Sequence, residues 1–247
     1  MRIFIDVGAH YGETLDVALD PRWAFDKVFS LEPSLDCQRL LATFRDHRIV
    51  FDDRGLSNET KQAELLSAGL LGGSIYADKP QGDGGEVETI SLIRASDWLR
   101  EHTAPGDDVW LKLNCEGSEV DILDDLLDSD EFGRIRSLYV DFDIRKIPSQ
   151  AHRQPKIEAR LAAAGVQYTT PESMGAAGNP AVSAWLSQSS PTFPASTTAC
   201  LRHALRWYLP PYLRTKAVVR AALPRSAFLW LGKRVGRQRR RAARPPA

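Results

Sequence analysis

The stretch that most constrains this chain lies at its amino terminus. The apolar run Ile3–Ile5 leads into Asp6, and two glycines, Gly8 and Gly12, follow four residues apart. This order predicts a buried strand, a glycine turn and the start of a helix. Because glycine has no Cβ, such a turn lets the backbone approach a ligand closely. The helix start beyond it offers unpaired N–H groups to a negative group. The stretch therefore predicts an α/β unit with a site for a nucleotide-like ligand.

The glycine spacing narrows the type of cofactor. The dinucleotide fingerprint requires G-x-G-x-x-G, whereas His10 and Glu13 stand here at the second and third glycine positions. A P-loop is excluded, since no Gly-Lys-Ser or Gly-Lys-Thr follows. The looser pattern favours a cofactor with an amino-acid part and a nucleoside part but no phosphate, such as S-adenosylmethionine. The alternative is a sharp strand–helix turn without a ligand.

A second apolar strand, predicted over residues 27–32, ends in Glu32, and Pro33 then stops the strand ladder. A carboxylate about 20 residues past the glycine turn is the expected partner of the ribose hydroxyls. It can accept a hydrogen bond from both hydroxyls at once. The alternative is a solvent-exposed glutamate at a strand end.

A third strand–turn–helix unit spans residues 109–123. Ser118 and Asp121 predict the cap of its helix. Polar residues at the end of a strand that should be buried usually line a site. Three such residues alternate along this strand, so we expect them on one side: Lys112, Asn114 and Glu116.

In this order and spacing, the three motifs resemble the FkbM-type methyltransferase family. The motifs are Asp-Val-Gly-Ala-x-x-Gly, Leu-Glu-Pro-Ser and Leu-Lys-Leu-Asn-x-Glu-Gly-x-Glu-x-x-Ile-Leu. The family consists of class I enzymes that use S-adenosylmethionine and mostly methylate hydroxyl oxygens on sugars and polyketide-type scaffolds. The resemblance covers residues 2–190. The sequence departs from the family pattern at Asn114, where Asp often stands. It implies an α/β, Rossmann-like fold whose mostly parallel seven-stranded sheet is flanked by helices.

The resemblance also implies roles for individual residues. The floor under the methionine part would consist of Asp6, Gly8 and Gly12. Glu32 would hold the ribose, and Asp53 or its neighbour Asp52 would accept from the adenine amino group. Four further residues would line the reaction side: Lys112, Asn114, Glu116 and Glu119. Of these, Lys112 and Asn114 would contact the cofactor.

A sugar hydroxyl is a poor nucleophile until its proton is being removed, so a base is expected. Glu116 is the first candidate, His10 the second and Asp141 the third. His10 has the alternative of packing or of contacting substrate. Asp141 lies with Asp143 at the end of a predicted strand, where both can be solvated acids or can join Glu116 around a divalent cation. The solvated reading is preferred, and no metal site is predicted.

Alternating elements predict a parallel sheet with helices on both faces. The predicted strands lie near residues 2–7, 27–32, 48–54, 108–114 and 136–142. The predicted helices lie near residues 13–19, 35–45, 94–102, 119–128 and 154–164. Between residues 58 and 92, the pattern predicts short antiparallel strands at 63–66, 74–77 and 87–92. A Gly-rich loop at 81–85 either covers the substrate mouth or forms a hairpin tip.

The formal net charge of zero conceals an uneven distribution. Residues 195–247 hold 11 Arg and 2 Lys, and no acidic residue follows Glu172; residues 1–194 hold 19 basic and 32 acidic residues. We divide the chain into a methyltransferase domain at 1–190, a linker at 191–198 and a basic, aromatic-rich helical tail at 199–247. The tail predicts peripheral contact with an anionic membrane. A packed subdomain or dimerisation arm is an equal alternative, and nucleic-acid binding is disfavoured because no recognition motif is visible.

The three cysteines are far apart and form no CxxC, so neither a disulfide framework nor a zinc site is indicated. No signal peptide is recognised, and no apolar run approaches the ~20 residues that span a bilayer. We expect a cytoplasmic enzyme, with the inner membrane face as a place of peripheral contact. The expected activity is methyl transfer from S-adenosylmethionine to a hydroxyl of a carbohydrate or glycolipid. The alternative is a non-catalytic S-adenosylmethionine-binding scaffold in a glycan-assembly complex, which the Asn114 departure keeps open.

Overall fold

The computed structural model describes residues 1–70, 72–80 and 86–205. Its centre is a parallel sheet of five strands in the order β3-β2-β1-β7-β8. All six residues of the central strand β1 are buried, as expected for a parallel strand covered on both faces. The strands are β1 (Arg2–Val7), β2 (Lys27–Leu31), β3 (Ile49–Asp52), β7 (Asp108–Leu113) and β8 (Ile135–Val140).

The strand order changes direction between β1 and β7. The chain adds β2 and β3 on one side of β1 and then crosses to add β7 and β8 on the other side. Within this sheet, Asp6 is paired in register with Ser30 of β2 and with Lys112 of β7. The carboxyl ends of β1, β2 and β7 therefore meet at one edge, which is where open α/β sheets bind ligands.

Helices cover both faces of this sheet. On one face, Trp98, Leu123 and Leu161 of three helices belong to one buried cluster with the strands. On the other face, Trp185 packs against Trp110 and Tyr139, with ring centroids 5.4 Å and 5.5 Å apart. The helices are α1 (Leu15–Ala18), α2 (Leu35–Leu41), α3 (Ala95–His102), α4 (Glu119–Asp128), α5 (Gln154–Ala163), α6 (Asn179–Ser189) and α7 (Thr197–Ala204).

A second, smaller sheet consists of β4 (Gly55–Ser57), β5 (Lys61–Ala68) and β6 (Glu86–Arg94). Strand β6 lies in the middle, parallel to β4 and antiparallel to β5. One face of this sheet buries Leu65, Ile90 and Leu92. These three side chains also form part of the wall of the pocket at the carboxyl edge of the main sheet.

The alternating α/β pattern and the parallel sheet are confirmed, whereas the predicted seven strands are not. Within the described residues, the main sheet has five strands, and the other three strands form the separate sheet. Of the predicted antiparallel strands, residues 74–77 contribute only an isolated bridge between Leu66 and Ser74. Ser118 occupies the predicted N-cap position of α4, but its side chain makes no capping hydrogen bond. Helix α6 was not predicted at all.

The segment that we predicted as a linker lies against the body of the protein. The Phe193 N–H donates to the Arg22 carbonyl oxygen at 2.9 Å, and the Arg2 guanidinium lies 5.2 Å from the Phe193 ring centroid. Helix α7 follows this segment. No helix among the described residues is long and apolar enough to cross a bilayer. The predicted loop at 81–85 and the tail beyond residue 205 lie outside the described residues.

Candidate functional site

An open pocket lies at the carboxyl edge of the main sheet, at the switch between β1 and β7. The empty space of the pocket, with the open solvent at its mouth included, amounts to about 830 Å³. One wall consists of the turns that follow β1, β2 and β7, and the other consists of the small sheet with residues 69, 70 and 72–75. The predicted site residues that line the pocket are Gly8, His10, Glu32, Asn114 and Glu116.

Gly8 is required by the close approach of two turns. Its φ is +77°, and a Cβ at this position would lie 2.1 Å from the carbonyl oxygen of Asn114. The N–H groups of Gly8 and Ala9 both donate to the Leu31 carbonyl oxygen at 3.1 Å. The turn after β1 is therefore fixed between the ends of β2 and β7, and any larger residue at Gly8 would force these turns apart.

Two residues other than glycine in these turns have a left-handed backbone. His10 has φ 48° in the turn after β1, and Glu116 has φ 58° in the turn after β7. Both line the pocket. Non-glycine residues rarely adopt this conformation, and those that do concentrate at functional sites. The two turns at the switch point therefore combine conformational strain with polar side chains.

Glu32 lies at the end of β2, in the pocket wall, and is only 8% exposed. Its Oε2 accepts from the His10 N–H at 2.8 Å, and its Oε1 accepts from the Ser34 N–H at 2.9 Å. Burial raises the pKa of this carboxyl, and the two backbone donors oppose that shift. Each oxygen retains acceptor capacity for a further donor, such as a hydroxyl.

His10 has one ring nitrogen beside a carboxylate and the other without a partner. Its Nδ1 lies 3.3 Å from Glu13 Oε1. Its Nε2 is buried and has no hydrogen-bond partner among the described residues. The ring lies against the Tyr11 ring, with centroids 3.8 Å apart. A neutral imidazole that donates from Nδ1 to Glu13 has a lone pair on Nε2, which can accept a proton.

Glu116 forms an ion pair with Lys79, whose side chain is 4% exposed. Lys79 Nζ also donates to the Gly72 carbonyl oxygen at 3.1 Å, and the Ser74 hydroxyl donates to the Glu116 carbonyl oxygen at 2.7 Å. Burial and the neighbouring Asp143 raise the pKa of the Glu116 carboxyl, and Lys79 opposes them. These contacts attach residues 72–79 to the turn after β7.

Asp6 and Lys112 form a second ion pair beneath the pocket and do not line it. Lys112 Nζ lies 2.7 Å from Asp6 Oδ1, and the two side chains are 5% and 0% exposed. Lys112 also donates to the Gly8 carbonyl oxygen at 3.1 Å. Burial raises the pKa of Asp6, and the lysine opposes this shift. The pair supports the glycine turn from behind.

Glu119 holds the turn after β7 in shape. Its carboxylate accepts from the Cys115 N–H at 2.9 Å and from the Gly117 N–H at 3.0 Å. The side chain is fully buried, and burial raises its pKa to about 7. Glu119 was expected on the reaction side, but it does not line the pocket. Its contacts give it a role in fixing the backbone beside Asn114.

The structure places three further predicted site residues away from the pocket wall. Gly12, with φ +81°, packs against Phe44, whose Cζ would lie 2.6 Å from a Cβ at Gly12. Asp53 is exposed and lies in a different groove, beside β3. The Asp141 carboxylate lies 3.5 Å from Arg145 Nη2. Gly12, Asp53 and Asp141 lie near strand ends in the sequence, but this proximity does not bring them into the pocket.

Sequence reasoning missed the residues that the small sheet brings to the pocket. Lys79 is the main example: it lies between short polar segments and has no periodic signal. The apolar residues of this wall are Leu56, Leu65, Ile90 and Leu92. Strands were predicted at three of these four residues. Nothing in the sequence spacing, however, indicated that the four side chains would face the glycine turn.

The described residues contain no group of three or more His, Cys, Asp or Glu side chains that could hold a metal ion. Asp143, which was considered as a metal ligand with Glu116, instead pairs with Lys146. The carboxylates at this edge therefore have lysine, arginine or backbone N–H partners within the part of the chain that the structure describes.

Comparisons with known proteins give little beyond these observations. No protein-family model and no curated protein matches the sequence. A solved structure of methyltransferase FkbM from Methylobacillus flagellatus KT matches with 16% identity and a TM-score of 0.42. The match covers 65% of this chain, which spans only 37% of that protein. A similarity this low carries no inference about the function of this chain.

Proposed function

We propose that the chain is an S-adenosylmethionine-dependent methyltransferase whose cofactor binds in the pocket between β1 and β7. The observation that carries the proposal is the convergence of three separate motifs on one pocket. Gly8 and His10 come from the turn after β1, Glu32 from the end of β2, and Asn114 and Glu116 from the turn after β7. This is the position at which open α/β sheets bind nucleotide-like ligands.

The residues of the pocket fit this cofactor. Glu32 lines the pocket and would accept hydrogen bonds from the vicinal hydroxyls of a ribose. Leu56 and Leu92 supply an apolar wall for a flat base. His10 Nε2 is a buried polar atom without a partner in the described part of the chain, and such atoms are uncommon unless a ligand or water satisfies them. Asn114, at the opposite turn, would contact the amino-acid part.

When bound, S-adenosylmethionine supplies a methyl group activated by the adjacent sulfonium. The protein then has to align the acceptor, exclude water and remove a proton from the acceptor hydroxyl. His10 is the base we favour, because Glu13 can fix its tautomer and leave Nε2 as the acceptor. Glu116 is the second candidate, since its carboxylate is already paired with Lys79. A carbohydrate or glycolipid hydroxyl as the acceptor rests on the sequence resemblance alone.

The decisive experiment is a calorimetric titration of the full chain with S-adenosylmethionine. Glu32→Gln should weaken binding about 10- to 100-fold, because a charged hydrogen-bond acceptor is lost. Asp53→Asn removes the same charge in the other groove and should bind like the wild type. Urea unfolding of both variants checks that the fold is retained. Equal affinity of wild type and Glu32→Gln would place the cofactor elsewhere.

Transfer of a labelled methyl group separates an enzyme from a binding scaffold. The wild type is offered glycan and glycolipid acceptors, with His10→Gln as the comparison. Turnover that falls about 100-fold in His10→Gln, with cofactor affinity retained, is the result we expect for a general base. Cofactor binding without methyl transfer to any acceptor would instead favour a non-catalytic binding scaffold. Asn114, which stands where Asp is often found in the FkbM-type motif, is the residue that keeps this alternative open.

A further inference from the structure

Helix α7 exposes its apolar side chains to solvent. It docks on the body through a half-buried side that contains Ala199 and His203, and His203 Nε2 lies 3.7 Å from Asp20 Oδ2. Leu201 and Leu205 are 57% and 53% exposed. Because residues four apart lie on one side of a helix, these leucines form a single apolar ridge. This ridge directly precedes the basic segment in the sequence.

A basic groove lies beside this helix, between α7 and the loop that follows α2. It is open to solvent and is lined by Arg45, Arg48 and Arg202, among others. Arg48 is already paired with Asp46, the acid in this groove. Arg45 and Arg202 have no hydrogen-bond or ion-pair partner among the residues that the structure describes. Two arginines without a partner among the described residues therefore line one groove. A guanidinium group is suited to binding phosphate through two hydrogen bonds.

The sequence beyond α7 continues the same chemistry. Residues 206–247 contain 10 Arg and 2 Lys and no acidic residue. Large apolar and aromatic residues are distributed among these cations, including Trp207, Phe228 and Trp230. This composition suits a surface that is both anionic and able to accept apolar side chains. It does not suit a second copy of the same face, because two such faces would repel each other.

We propose that α7 and the Arg45–Arg202 groove form a binding surface for a membrane of anionic phospholipids. The leucine ridge would enter the boundary between headgroups and acyl chains, and the groove arginines would bind headgroup phosphates. A nucleic acid offers the same phosphates, but its backbone surface has no use for the exposed Leu201 and Leu205. The apolar ridge is therefore what favours a lipid surface over RNA or DNA.

The test is flotation of the full chain with vesicles of phosphatidylcholine, with and without phosphatidylserine. We expect binding only to the vesicles that contain phosphatidylserine, and weaker binding at high salt. Arg45→Gln/Arg202→Gln should lower the apparent affinity about tenfold or more. Arg100→Gln/Arg136→Gln removes the same charge at exposed positions on α3 and β8 and should retain wild-type binding. Leu201→Ser/Leu205→Ser tests the ridge without disturbing buried contacts, and it should also reduce binding.

Three results would overturn the proposal. Absence of flotation with phosphatidylserine vesicles would remove it directly. Equal losses in both arginine variants would show that only net charge matters and that the groove is not a site. Tight binding of an RNA or DNA oligonucleotide that the leucine substitutions leave unchanged, without vesicle binding, would assign the surface to nucleic acid. None of these results depends on S-adenosylmethionine binding, so the proposal can fail while the proposed activity stands.

Discussion

Two lysine–carboxylate pairs lie at the carboxyl edge of the main sheet, and they differ in their surroundings. Lys112 and Asp6 are 5% and 0% exposed and join two central strands beneath the pocket. Lys79 and Glu116 are 4% and 25% exposed and join the small sheet's connecting segment to a turn that lines the pocket. The same pair of chemical groups thus supports the sheet in one region and closes the wall of a site in the other.

The two regions differ in whether water can hydrate a charge that has lost its partner. A charge that is entirely surrounded by protein has no access to water when its partner is removed, whereas a partly exposed charge can be hydrated. The deeper pair should therefore govern the stability of the whole domain. The pair in the pocket wall should govern the local stability of residues 72–79. Three predictions test this contrast, in order of decreasing effect.

The largest effect is expected from Lys112→Met. This substitution leaves the buried Asp6 carboxylate without its cation, and it should lower the free energy of unfolding by about 3–5 kcal/mol in urea denaturation. Asp6→Asn/Lys112→Met removes both charges and should recover a large part of this loss. If the single variant lost less than about 1 kcal/mol, the pair would not be a main support of the sheet.

Glu119 sharpens the comparison, because this buried carboxylate has backbone N–H donors in place of a lysine. Burial raises its pKa from 4.5 to about 7 in the folded state. The folded protein therefore retains a proton that the unfolded chain releases, and the contribution to stability is full below pH 4.5 and is lost as the pH rises to about 7. The loss should reach about 3 kcal/mol, and it should be absent in Glu119→Gln.

The measurement is urea unfolding of wild type and Glu119→Gln at a series of pH values. The difference between the two proteins isolates Glu119, since other groups titrate in both. A difference that stays constant across the range would show that the Glu119 carboxyl has the same pKa in the folded and unfolded states. A difference that changes in the opposite direction would show that the backbone donors outweigh burial.

The smallest global effect is expected from Lys79→Met. Glu116 is partly exposed, so its carboxylate can be hydrated when the lysine is lost, and unfolding should become easier by only about 1 kcal/mol. Amide hydrogen exchange should nevertheless accelerate at residues 72–79 more than in the central strands, because local opening follows local contacts. Uniform acceleration across the sheet would contradict the contrast between the two pairs.

Much of the main sheet followed from sequence, because its strands are short apolar runs separated by helical periodicity. The five predicted parallel strands agree with β1, β2, β3, β7 and β8. Gly8 and Glu32 were identified because each directly follows such a strand, and Glu116 because it lies in the polar turn three residues after β7. The parallel-sheet architecture could be predicted from the sequence, because a strand that is buried on both faces requires a continuous run of apolar residues.

The sequence alone determined the alternating architecture, the glycine turn and the acids at the strand ends, because each depends on neighbours along the chain. Only the tertiary structure decided which of these acids face the pocket and which are paired beneath it. It also brought Lys79 to Glu116, and Arg45 and Arg202 to the same groove. Contacts between residues that are far apart in the chain depend on how whole elements pack, and local periodicity carries no information about that packing.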